Sequence, residues 1–142
     1  VPEPQLRGLS DLGTMLKSLN PELRAGEYVF ASLPGASFAD AAYLSPIGSF
    51  QEAEGLSVIV SKATAVRHGI GFALTLRCIT LHVHSDLAAV GLTAAIATRL
   101  AEEGISANVI AGFFHDHVFV PAEQADRALE ALVSLQGSPG SG

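Results

Sequence analysis

The stretch that decides the fold is "TLRCITLHVHSDLAAVGLTAAIATRLAEEG", residues 75–104. Its first third alternates. Ile79, Leu81 and Val83 stand between Cys78, Thr80, His82 and His84, the period-two pattern of a strand with one apolar and one polar face. At Ser85 the period changes. Leu87, Val90, Ala94, Ala97 and Ala101 recur at helical spacing, with Ile96 and Leu100 beside them and Glu102 and Glu103 on the far side. Ser85 or Asp86 is the expected N-cap and Gly104 the C-terminal stop, because each supplies what a helix end lacks.

Downstream, "ISANVIAG" (105–112) reads as a second strand, with a turn near residues 112–114. "HDHVFV" (115–120) reads as a third strand, ended by Pro121. "AEQADRALEALVSLQ" (122–136) is a second amphipathic helix, with Ala125, Ala128, Leu129, Leu132 and Leu135 as its apolar stripe. The order is β-α-β-β-α. Helices crossing one face of an antiparallel sheet give a compact α+β sandwich of the ferredoxin-like kind, with the first strand central and beside the third.

Upstream the pattern is less regular. "LSDLGTMLKSL" (9–19) looks helical, capped by Ser10 or Asp11 and ending near Asn20-Pro21. "EYVFASL" (27–33) and "LSVIVS" (56–61) read as strands, and "KATAVRHG" (62–69) as a short helix or turn. A turn-rich segment between them is expected to hold a short strand around residues 41–44. The expected organisation is a smaller sandwich over residues 1–70, a regular one over 71–136 and a flexible tail over 137–142.

Composition excludes several classes. The chain has 142 residues and a net charge of −6. It has no Lys/Arg cluster, no Trp and only two Tyr, so neither a phosphate-tracking surface nor a base-stacking platform is expected. No nucleic-acid partner follows. No apolar run reaches the ~18 residues of a membrane span. The opening "VPEPQLRG" has no signal-peptide pattern, and Cys78 is the single cysteine; a cytoplasmic protein is expected.

At "VHSDLAAVGLTAAIATRLAEEGISANVIAGFFHDHVFVP" (83–121) the sequence resembles an ACT domain. The likeness rests on "VGL" (90–92) near the helix start and "LAEEGIS" (100–106) leading into the second strand. Two such halves in tandem resemble aspartokinase regulatory regions, the animal cytosolic arginine sensor and a small bacterial group of uncharacterised ACT proteins that share an "FHDH-x-FVP"-like strand. The family's usual asparagine after "GI" is Ser106 here, with Asn108 two places on.

The resemblance implies two βαββαβ sandwiches in tandem and a non-enzymatic regulatory module that binds an amino acid or similar small zwitterion, forms a homodimer and needs no cofactor. It implies a ligand site where one module's loop meets a neighbouring module's strand. The loop residues are Ser85, Asp86, Leu87, Val90 and Gly91; the strand residues are Ser106, Ala107, Asn108 and Val109; Asp116 aligns with an aspartate that touches the ligand side chain in the arginine sensor. The chemistry fits: helix-start N–H groups attract a carboxylate, and a carboxylate meets an ammonium or guanidinium. Ser85 and Asp86 serve equally well as plain caps, and Asp116 as an exposed strand-start carboxylate.

Two other readings stand beside this one. A ligand-free interaction module would use the sheet face as a protein-binding surface. A metal-binding protein or small enzyme would use His82, His84, His115 and His117, which share an end of the sheet if the first and third strands are antiparallel neighbours. Polar strand faces commonly carry histidine without metal, and no metal is expected. There is no nucleophile elbow, P-loop or dinucleotide fingerprint. Glu52 and Glu54 read as an exposed acidic loop, Cys78 as an inert buried thiol, and His68 as a helix-end cation.

Overall fold

The computed structural model describes residues 11–83 and 91–137. They fall into two compact units, one of residues 25–77 and one that joins the residues up to 24 to those from 78 onward.

The unit of residues 25–77 is a complete βαββαβ sandwich. Its elements are β2 (Tyr28–Pro34), α2 (Phe38–Ala41) running into a 3-10 turn (Ala42–Leu44), β3 (Gly48–Glu52), β4 (Gly55–Ser61) and α3 (Lys62–Arg67). Its last strand is the start of β5 (Leu76–Leu81), where Leu76 lies opposite Tyr28. The strand order is β3-β4-β2-β5, with β2 and β3 antiparallel to β4. Val29, Leu56, Val58 and Val60 point to one face and bury with Ala41, Leu44 and Ala65, as the two-residue period of a strand requires.

Residues 41–44, expected as a strand, are helical instead. The local cause is the box at Ser37, whose backbone N–H and hydroxyl both donate to the Asp40 carboxylate (2.9 and 3.1 Å), fixing a helix start just upstream. The paired strand is β3, at "GSFQE", inside a segment that reads as turn and acidic loop.

The second unit contains α1 (Leu12–Lys17), β1 (Pro21–Leu23), β5, α4 (Leu92–Glu102), β6 (Asn108–Ala111), β7 (Asp116–Pro121), a 3-10 turn (Ala122–Gln124) and α5 (Ala125–Gln136). The strand order is β1-β5-β7-β6. The β-α-β-β-α run read from the sequence lacks a sixth element. The chain supplies it from upstream: β1 pairs antiparallel with β5, Leu23 opposite Ile79 and Pro21 opposite Leu81. A three-residue strand opening on proline is invisible to periodicity, but proline is tolerated at a strand's first position. The turn into it is held by Asn20, whose N–H donates to Gln136 Oε1 at 3.1 Å.

The core of this unit is larger. Ile79, Leu81, Val118 and Val120 of the sheet bury against Met15, Leu16, Ile96, Leu100, Ala128 and Leu132 of the helices and against Leu19 just after α1. Each fully buried Leu or Ile contributes about 1.5–3 kcal/mol relative to exposure. The α5 stripe is as expected, with Ala131 added and Leu129 and Leu135 half-buried. The α4 stripe is corrected. Leu92, Ile96 and Leu100 are buried while Ala94, Ala97 and Ala101 are exposed, since the large side chains gain more by burial than alanine does. The helix start is corrected too: α4 begins at Leu92, with Gly91 as N-cap, so neither Ser85 nor Asp86 caps it. Thr80, expected on an open polar face, is buried at 4% exposure, and Cys78, expected as a buried thiol, is 1% exposed.

Candidate functional site

The sheet of this second unit separates two chemical environments. Successive side chains of a strand point to opposite faces. Ile79, Leu81, Val118 and Val120 point to the helices. Thr80 and His82, with Glu22 opposite Thr80 across the β1 ladder, point to the helix-free face, as does the alternate set His115, His117 and Phe119.

Asp116 is the first residue of β7, paired with Ala111 of β6. It is only 5% exposed. No hydrogen bond or ion pair reaches its carboxylate from among the described residues. Burial raises its pKa above the ordinary carboxylate range, and the charge of His115 opposes that only in part. β5 and β7 are neighbours. The contacts of His82 with His115 and of Thr80 with His117 set the end of β5 beside the start of β7. Asp116 therefore sits where β5 runs toward residue 84.

Gly91 is half-buried with φ of 103°, a left-handed conformation that glycine adopts without steric cost. A Cβ there would stand 3.3 Å from Leu12 Cδ2 of α1, so the close approach of α1 adds a second reason for glycine. Ser85, Asp86, Leu87 and Val90, with His84, lie outside the described residues. Ser106 and Asn108 are exposed, and Ala107 and Val109 are half-buried against the core. Asn108 pairs with Phe119, three pairs from the Asp116–Ala111 pair, or about 10 Å along the strands. The expected set thus divides: Gly91 and Asp116 belong to one end of the strands or its approach, and Ser106–Asn108 to the other.

The histidines do come together. His82 and His115 rings stand edge to face with centroids 5.3 Å apart. His82 Nε2 lies 2.5 Å from Glu22 Oε1, and His117 Nδ1 lies 3.0 Å from the Thr80 hydroxyl. His117 has its pKa lowered, first by burial and then by the positive charges of Arg24, His115 and His82. Among the described residues no three His, Cys, Asp or Glu side chains are placed to hold a metal ion. Glu22 and Thr80 escaped the sequence reading because only the register across three strands assembles them.

The remaining candidates are inert or ordinary. Burial raises the Cys78 thiol pKa above its usual value, which disfavours the reactive thiolate. Glu52 and Glu54 are exposed at the β3–β4 hairpin, Glu52 accepting from the Ser57 hydroxyl. His68 is the C-cap residue of α3 and packs edge-on against Tyr43. No described helix is long and apolar enough to cross a membrane.

Two ferredoxin-like modules, one completed by β5 and the other by the upstream strand β1, define a tandem α+β protein. The chain belongs to the ACT-domain family: ACT-domain profiles match residues 7–77 and 74–134. Its fold is shared with a Vibrio cholerae protein of unknown function described as a possible transport protein, at 49% identity and TM-score 0.80, covering 88% of this chain and 95% of that one. An Agrobacterium tumefaciens protein matches at 18% identity and TM-score 0.67, covering 82% and 87%. The ligand-free regulatory subunit of Thermus thermophilus aspartate kinase matches at 15% identity and TM-score 0.61, covering 83% and 97%. No curated protein matches the chain in sequence.

Proposed function

We propose that this protein is a non-enzymatic, cytoplasmic amino-acid sensor. The ligand sits at the end of the second unit where residues 85–91 join β5 to α4, and the β6 edge at Ser106–Val109 is offered by a second copy of the chain in a homodimer. Asp116 is the observation that carries this reading. A carboxylate 5% exposed with no protein partner among the described residues is costly, and an ammonium or guanidinium group would offset that cost. An amino acid brings such a cation, and its carboxylate would meet the first turn of α4, whose N-cap residue is a glycine with no side chain to cap the opening N–H groups. ACT-domain membership and the fold shared with aspartate kinase regulatory subunits support a small-molecule regulatory role. Ligand would then shift the population of one arrangement over another, for a partner to read.

The test is thermal unfolding against the twenty amino acids at millimolar concentration. At least one, with a basic side chain favoured, should raise Tm, and Asp116→Asn should abolish that rise. If none does, the sensor reading falls. A rise fully retained in Asp116→Asn removes Asp116 from the site.

A further inference from the structure

The helix-free face of the second unit's sheet carries a concentration of imidazole and guanidinium side chains that the sensor reading does not use. Three of the chain's five histidines meet there. Among the described residues, the charged and titratable groups facing the patch are Glu22 and Arg24 from β1 and just after it, Cys78 and His82 from β5 and its end, and His115 and His117 from β7 and just before it. Asp116, between the two histidines in sequence, alternates to the other face. Arg24 acts electrostatically on His117, as do both other imidazoles. Among the described residues the carboxylate on this face is Glu22, which is engaged by His82.

Two geometric facts point to a missing acceptor. The Nδ1 of His115 is buried with no hydrogen-bond partner, and a buried polar atom in that state calls for a ligand or ion. His117 uses Nδ1 toward Thr80, which leaves Nε2. That atom lies over Gly112, where a Cβ would be only 3.4 Å away, so the ring edge is not covered by a side chain at that position. Imidazolium N–H groups and a guanidinium grouped in this way suit a tetrahedral oxyanion, which accepts several charge-assisted hydrogen bonds at once. A metal ion would need converging lone pairs, and the described residues do not supply three.

We propose that this face holds a tetrahedral oxyanion, a phosphate or sulfate group, between His115 and His117, with His82 and Arg24 supplying further positive charge. The site is distinct from the amino-acid site and stands or falls separately. NMR of the histidine ring protons in metal-free buffer tests it, with sodium chloride at matched ionic strength as control. Inorganic sulfate keeps its charge between pH 6 and pH 8. It should shift the His115 and His117 signals saturably at pH 6 and bind about tenfold more weakly at pH 8, where imidazolium charge is lost. His117→Asn, whose amide still reaches toward Thr80, should weaken binding about tenfold. His115→Gln should do the same if the first variant fails to fold. Inorganic phosphate and glycerol 3-phosphate distinguish a free ion from a phosphoryl group on a carrier: binding of both assigns the group, binding of the first alone assigns the ion. Rings that respond to chloride as to sulfate overturn the proposal. So do rings that ignore all three anions, or that respond to stoichiometric zinc alone.

Discussion

The two units follow one strand order yet differ in what they build on it. In the unit of residues 25–77 the crossing helices are four and six residues long, and the core is mostly small β-branched and Ala side chains. Its helix-free sheet face mixes Phe30, Ile59 and Phe50 with Ser32, Ser57 and Glu52, and Phe50 is 73% exposed. In the other unit the helices run to eleven and twelve residues, the core holds long Leu, Ile and Met side chains, and the helix-free face is polar and rich in imidazole. Shared topology fixes where strands lie. Helix length and the residues on the second face decide which unit can carry a buried charge.

That contrast can be broken at graded cost. The largest effect is expected in the deeper core. Leu100→Ala removes a fully buried side chain and should cost about 2–5 kcal/mol, read as a lower denaturant midpoint with an unchanged slope. Gly55→Ala probes the smaller unit. Its φ is 150°, and a Cβ would lie 2.3 Å from the Leu33 carbonyl oxygen; backbone strain of about 1–3 kcal/mol is expected, and a variant as stable as the parent would contradict the β2–β4 register.

Titration sharpens the comparison next, at two groups of the second unit whose pKa values burial shifts, Asp116 and His117. Asp116 has a raised folded pKa. Its contribution to stability is fully present below the unfolded value near 4 and is lost as pH rises through the folded value. Asp116→Asn should therefore raise the ligand-free Tm at pH 7 and flatten that loss, a gain in stability at the expense of binding. His117 has a lowered folded pKa. Its contribution is intact above the unfolded value near 6.5 and is lost as pH falls through and below it, so His117→Asn should flatten the acid side of the stability profile. The smallest effect is expected at the α4–α5 surface. Arg99 reaches Glu103 at 2.9 Å and the Ser134 hydroxyl at 3.1 Å, and Arg99→Ala should cost about 0.3–0.5 kcal/mol, decreasing with added salt.

Much of this was legible in the sequence. The alternation around Ile79 and Leu81, the Leu132 stripe of α5 and the "LSVIVS" strand are driven by large apolar side chains at regular spacing, and periodicity finds those. The start of α4 at Leu92 was not, because Ser85 and Asp86 are good caps in any context and the helix begins six residues later at a glycine. Nor was β1. "PEL" has no periodicity of its own, and only pairing with β5 makes it a strand. The same cause hid Glu22 and Thr80 from the site. A residue whose role depends on register across strands leaves no local signal, whereas Asp116 was legible as a candidate but not as a buried one.

The central claim is that ligand binds at the end of the second unit where β5 ends and β7 begins. Amide chemical-shift mapping with the amino acid that raises Tm most tests it directly. The largest shifts are expected on Gly91, Leu92 and Asp116. Shifts confined to Glu27, Tyr28 and Lys62 of the other unit, with Gly91 and Asp116 unmoved, would contradict it.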